Sequence, residues 1–159
     1  MLLQADGDFR LQDEAATARL GSAVAAALAA GEAVCLWGPL GAGKSTLARG
    51  LIRALTRPDE DVPSPTFTLV QFYETPRFRL AHFDLYRIER PEELDEIGLA
   101  EALDEGAAVI EWPERLAHHL PHHRLDIELA AIEQNGGEQR TARLTPNGKW
   151  EGRPIDFRA

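Results

Sequence analysis

Residues 38–45 read Gly-Pro-Leu-Gly-Ala-Gly-Lys-Ser, a full match to the pattern G-x-x-x-x-G-K-[ST]. Such a loop binds phosphate only in one local setting. Its glycines must turn the backbone N–H groups inward as an anion-binding nest, and a helix must begin directly after it. The flanks meet that demand. Residues 33–37 form a short apolar run between turn signals, as expected of a strand buried on both faces, and residues 44–57 carry Leu47, Leu51 and Leu55 at helical spacing. A chance match in a chain of this length has odds of about one in a few hundred, and the correct flanks reduce them further. Backbone N–H groups around Gly38, Gly41, Ala42 and Gly43 are therefore expected to cradle the phosphates of ATP. Lys44 is expected to reach the β- and γ-phosphates, and the Ser45 hydroxyl to ligate Mg²⁺.

The remaining pattern predicts an α/β fold, a single-domain P-loop NTPase with a mixed central sheet flanked by helices; 159 residues fit one domain, 1–159. Residues 13–30 read as a helix with Asp13 as N-cap and Gly31 as its end. Residues 66–73 and 78–86 read as a strand hairpin, and 91–97 as a helix opened by Pro91 with an acidic first turn. Residues 107–112 read as a buried strand. Residues 124–132 and 139–145 flank Asn135-Gly136-Gly137, a hairpin signal. From Pro146 onward a loosely held tail, 146–159, is expected. No internal repeat is visible.

A formal net charge of −9 disfavours a direct grip on a nucleic-acid backbone. The single cysteine, Cys35, lies in an apolar run and reads as a buried hydrophobe. Neither a signal peptide nor a membrane-spanning stretch is recognisable, so a cytoplasmic location is expected.

Hydrolysis needs a metal-holding carboxylate and a group that positions water. Leu80-Ala81-His82-Phe83-Asp84 ends a predicted strand in an acid, the Walker B position, although His82 interrupts the apolar run. Ala107-Ala108-Val109-Ile110-Glu111 ends another in a second carboxylate, where ligands of open α/β sheets sit. Asp84 is expected to hold Mg²⁺ directly or through water, and Glu111 to act as Mg²⁺ ligand or water-orienting base. Between the loop helix and Asp84, Ser64-Pro65-Thr66 occupies the place of a switch hydroxyl.

Together the segments 38–46, Ser-Pro-Thr-Phe-Thr-Leu (64–69), His-Phe-Asp-Leu-Tyr-Arg (82–87), Pro-Glu-Glu-Leu (91–94) and Ile-Glu-Trp-Pro-Glu (110–114) resemble the bacterial TsaE (YjeE) family, over roughly residues 13–120. The resemblance implies an ATPase that supports the TsaD–TsaB pair in making tRNA threonylcarbamoyladenosine (t6A), touching tRNA only through that complex. Carried over by position, it implies phosphate and Mg²⁺ roles for Lys44, Ser45 and Thr46, and a metal and hydrolysis site at Asp84 and Glu111. It implies a switch role for Thr66, importance for activity at Trp112, and nucleotide contacts from Thr17 and Arg140. Ser45 stands where many members have threonine; either hydroxyl serves Mg²⁺.

His118, His119, His122 and His123 fit no compact tetrahedral metal site and read as a solvated loop. Trp37 and Trp112 flank strand ends and suit either packing or function, and Glu92–Glu96 reads as a solvated helix face. Competing functions are a small-molecule P-loop kinase, with Arg77, Arg79, Arg87 or Arg90 as lid, and an ATP-switched binding module. No Asn-Lys-x-Asp guanine motif and no Leu-Ser-Gly-Gly signature occurs, which speaks against a GTPase and an ABC-type ATPase.

Overall fold

The computed structural model describes residues 2–4 (backbone), 7–90, 92–132, 137 and 139–157. In chain order the elements are β1 (Leu2–Gln4), β2 (Gly7–Leu11), α1 (Glu14–Ala27), β3 (Ala33–Trp37), α2 (Lys44–Leu55), β4 (Val70–Glu74) and β5 (Arg79–Asp84). They continue with α3 (Glu92–Glu96), α4 (Leu99–Glu105), β6 (Gly106–Glu111), β7 (Arg124–Ala131), β8 (Arg140–Asn147) and β9 (Pro154–Asp156). Seven strands form one sheet in the order β2-β8-β7-β3-β6-β5-β4. Pairing is parallel for β7-β3-β6-β5 and antiparallel outside, at β2-β8, β8-β7 and β5-β4. The mixed sheet expected from the sequence is thus observed.

The parallel strands explain their own composition. β6 is buried at all six positions and β3 at its first four, because both sheet faces are covered. One apolar cluster joins Leu20, Val24, Leu36, Leu47, Leu51 and Ile127 beneath α1 and α2; the other joins Cys35, Phe83, Ile110 and Leu116 on the opposite face. Cys35 is fully buried, and burial in apolar surroundings pushes its thiol far above the ordinary range.

The helix expected at 13–30 starts as read, with the Asp13 carboxylate accepting from Ala16 N–H at 2.8 Å. It ends earlier than read: Leu28 is already extended, and Gly31, with φ +87°, serves the turn into β3 rather than the helix end. α1 packs on α2 through glycines on both. A Cβ on Gly21 would meet Leu47 O and Leu51 N, and one on Gly50 would meet the Ala18 backbone. Gly50→Ala would normally gain up to about 1 kcal/mol of helix propensity. Here overpacking against unyielding backbone, typically about 1–3 kcal/mol, is expected to reverse the sign. Chemical denaturation of the Gly50→Ala chain should show a net loss of stability.

The strand expected at 66–73 begins only at Val70. Leu69 adopts φ +68° and its N–H bonds Pro65 O at 2.7 Å, so 65–69 is a turn. The partner strand antiparallel to β4 is as expected. Pro91, Asn135 and Gly136, named above as helix and turn signals, lie outside the described residues.

The expected loose tail is corrected. β8 runs on to Asn147, β9 pairs antiparallel with β1, and Trp150, Ile155 and Phe157 are buried in the core beneath α1. Trp150 sits in a short helical turn, and the alternation of buried Ile155 and Phe157 is too brief to stand out as a strand, so local pattern did not reveal their burial. Arg153 fastens the segment. It bonds both oxygens of buried Glu32, at 2.6 and 2.8 Å, and the carbonyls of Ala27 and Lys149.

Among the described residues, no helix is long and apolar enough to cross a membrane.

Candidate functional site

The parallel core places the carboxyl ends of β3, β5 and β6 side by side. Asp84 is register partner of Glu111, and Glu111 of Leu36, two residues before the glycine-rich loop. β6 lies next to β3 and β5 one strand further, so the acids ending both strands arrive at the loop's edge of the sheet. The cleft formed there, about 410 Å³, is lined among others by Gly41, Gly43, Lys44, Ser45, Thr46, Thr66, Asp84, Glu111 and Arg140. That volume suits a nucleotide-sized ligand.

The loop has the backbone expected of a nest. Gly38, Gly41 and Gly43 hold φ of +138°, +80° and +102°, and Gly43 caps α2, whose first residues, Lys44 to Thr46, line the cleft. At Gly38 a side chain would also collide with Leu129 O. Gly38 and buried Ala42 shape the loop from behind.

Lys44 is 5% exposed. Its ammonium donates to Gly38 O and, at 2.9 Å, to Pro39 O, and lies 4.0 Å from the centroid of the Trp112 ring. Burial lowers its pKa, opposed by the charges of Glu111, Glu114 and Asp84. Trp112 reaches this place because its backbone turns left-handed, φ +60°, directly after β6; its ring also packs 4.9 Å from that of Tyr86. Trp37, by contrast, is tied down by Asp126, to which its indole N–H donates at 2.8 Å.

The hydroxyls and carboxylates form one network. Ser45 Oγ donates to Glu111 Oε1 at 3.0 Å, and Thr66 Oγ1 to Asp84 Oδ2 at 3.2 Å. Ser64 Oγ lies 2.7 Å from Thr66 Oγ1. Thr66 has one proton and spends it on Asp84, so Ser64 is the donor. Asp84 Oδ1 accepts from Tyr86 N–H at 3.0 Å. The 65–69 turn is docked on the same strand, since Asp84 N–H bonds Leu69 O. Ser45, Asp84 and Glu111 together present hard oxygen donors, the set Mg²⁺ takes when phosphates and waters complete its shell. The donors thus fit that ion.

Arg140 and Thr17 meet at the loop. Arg140 donates to Gly41 O at 3.0 Å, and both side chains approach Gly43. Thr17 is buried and its hydroxyl is turned back to Asp13 O at 3.3 Å, so its methyl, not its hydroxyl, faces Gly43. Two features escaped the sequence reading. Glu14, the first residue of α1, also lines the cleft; nothing local marked it. His82 bonds Glu111 Oε2 at 2.7 Å, and its place two residues before Asp84, on the same strand face, was the available signal. Among the described residues no group of three or more His, Cys, Asp or Glu that could hold a metal ion occurs, and the His118–His123 segment forms none.

A family model described as "Threonylcarbamoyl adenosine biosynthesis protein TsaE" matches residues 11–142. A tRNA threonylcarbamoyladenosine biosynthesis protein TsaE of Rickettsia felis is 35% identical over 147 residues, covering 92% of this chain and 84% of that protein. One from Treponema pallidum is 39% identical over 123 residues, covering 77% and 90%. The crystal structure of Bacillus subtilis YdiB superposes with TM-score 0.71 at 26% identity, covering 93% of this chain and 88% of that one.

Proposed function

This chain belongs to the TsaE family, and we propose that it is a Mg²⁺-dependent ATPase whose turnover supports the TsaD–TsaB pair in cytoplasmic t6A modification of tRNA. The observation that carries this reading is the convergence of Lys44, Ser45, Thr66, Asp84 and Glu111 in one cleft. The nest and the α2 N-terminus bind the triphosphate, with Thr46 beside Ser45 on the first turn. Lys44 leaves the carbonyls of Gly38 and Pro39 for the β- and γ-phosphates. Arg140 and the loop hold the nucleotide from the other side, and Thr17 acts behind the loop, through its methyl against Gly43.

Electrostatics call for a cation here. The cleft lining holds two cations, Lys44 and Arg140, against the acids Glu14, Asp84 and Glu111, and a polyanion entering it brings further negative charge. Mg²⁺, held by Ser45, Asp84 and Glu111, supplies charge neutralisation and polarises phosphoryl oxygens. Glu111 orients the attacking water, and Thr66 couples the 65–69 turn to Asp84.

Lys44 and Arg140 are both engaged by loop carbonyls, which leaves no free arginine finger in the cleft lining; slow turnover of the chain alone is expected. Phosphate release from Mg-ATP, measured with and without a TsaB–TsaD pair, tests the reading. Strong stimulation, abolished by Lys44→Ala, is expected. Turnover indifferent to the pair would keep the ATPase and overturn its assignment to tRNA modification.

A further inference from the structure

Glu111 is 2% exposed, and each of its carboxylate oxygens has one side-chain partner: Ser45 Oγ on Oε1 and His82 Nε2 on Oε2. Ser45 belongs to α2 and is a ligand-facing group. His82 comes from β5, is equally buried, and faces no open space. In the parallel register His82 pairs with Val109 and Asp84 with Glu111. His82 and Glu111 are thus diagonal neighbours on one sheet face, the separation a long side chain can bridge.

The hydrogen-bond chemistry fixes the tautomer. An ionised carboxylate only accepts, so the 2.7 Å contact requires the proton on Nε2. Among the described residues, His82 Nδ1 has no partner. A proton there would leave a buried donor unpaired and set two acceptors against each other. With Nε2–H, only a lone pair is left unanswered. The ring therefore works in one direction, toward Glu111. Neighbours of the same strand face, Leu80 and Val109, are apolar core residues, and an apolar side chain at 82 would have continued that core without a buried polar atom.

We propose that His82 is a positioning residue. Its Nε2–H fixes one oxygen of Glu111, so that the other is presented at Ser45, in the place where the cleft takes its cation and the water to be oriented. The proposal rests on the ATPase reading of the cleft for its consequence, but not for its geometry.

Two measurements test it separately. Histidine ¹⁵N NMR of the ligand-free chain should show His82 as the Nε2–H tautomer; an Nδ1–H tautomer overturns the proposal whatever the protein does with ATP. The second compares His82→Phe, which keeps the bulk and removes the donor, with His82→Gln, whose amide can stand where Nε2–H stood. In His82→Phe, kcat should fall about 10–100-fold, and the Mg²⁺ concentration needed for half-maximal binding of a fluorescent ADP analogue should rise by a similar factor. Affinity for that analogue without Mg²⁺ should be unchanged, and His82→Gln should restore both quantities to within a few-fold. If the phenylalanine variant does not fold, His82→Asn replaces it, since its amide stops at the Nδ1 position and cannot reach Glu111. Parent values of kcat and Mg²⁺ dependence in a folded Phe or Asn variant would overturn the proposal. So would a Gln variant as impaired as they are. A parent chain that neither binds nor hydrolyses ATP would instead refute the ATPase reading, leaving the tautomer to decide the geometry.

Discussion

Glu111→Gln is expected to lower ATP hydrolysis by about 10²–10⁴-fold, the usual contribution of a positioned general base, while the protein still binds nucleotide. The substitution preserves shape. The glutamine carbonyl can still accept from His82 Nε2, and its amide can donate to Ser45 Oγ, reversing that one bond. Packing at this fully buried strand end should therefore survive, and what is lost is a negative charge. Nucleotide affinity without Mg²⁺ should stay level or rise, because one carboxylate fewer faces the phosphates, while the Mg²⁺ concentration needed for half-maximal binding should rise. Single-turnover hydrolysis, read beside a nucleotide-binding titration, separates the two effects. Hydrolysis within a few-fold of the parent would remove Glu111 from the chemistry and leave it to Asp84 and Glu14, the other acids of the cleft lining.

Arg153→Ala should cost about 3 kcal/mol of folding stability, near the lower end for breaking a buried ion pair, although Arg153 lines no part of the cleft. Glu32 is 2% exposed and would be left as an uncompensated buried charge. Among the described residues its one other donor is Ala29 N–H, at 3.1 Å. Arg153 itself is partly solvated, 23% exposed against 3% for the Glu32 side chain, which is why the lower end applies. The carbonyls of Ala27 and Lys149 and the stacking on Trp150, 4.5 Å away, go with it. For a chain of this size the loss corresponds to a Tm decrease of roughly 6–12 °C.

The same pair fixes a pH dependence. Burial by itself raises the Glu32 pKa, but the bonds and charge of Arg153, the Ala29 N–H and the charge of Lys149 outweigh it, and the net direction is downward. The unfolded chain then binds the proton at higher pH than the folded one. Glu32 thus contributes stability that is complete above the ordinary glutamate range and is lost as pH falls through its lowered folded value. Arg153→Ala should flatten that acid-side slope. A double variant, Glu32→Leu with Arg153→Met, should recover much of the stability at neutral pH, because it removes both charges. An Arg153→Ala chain as stable as the parent would show that the C-terminal segment is held without Arg153, by Trp150, Ile155, Phe157 and the β1–β9 pairing.

The phosphate loop, its flanking strand and helix, and the two strand-end acids were legible because each is a local pattern. Glycines at set spacing, an apolar run of five and an acid after an apolar run all act on neighbours within a few residues. Asp84 and Glu111 could be named from the chain because parallel strands deliver their carboxyl ends to one edge whatever lies between them. The same local rules misjudged 66–69, where Leu69 turns left-handed to dock Thr66 on Asp84, and 146–157, where burial depends on a partner more than a hundred residues away.

The order of residues by itself determined that this chain builds a phosphate nest on an α/β sheet, since only glycine tolerates the backbone of Gly38, Gly41 and Gly43 and only an amphipathic run makes α2. Tertiary structure alone decided which groups meet around it. That Ser45 and His82 share Glu111, that Lys44 rests on Trp112, and that Arg153 closes on Glu32 are contacts across 66, 29, 68 and 121 residues of chain. Their geometry follows from strand register and helix packing, which no local pattern encodes, because side-chain hydrogen bonds act over a few ångströms and are blind to distance along the sequence.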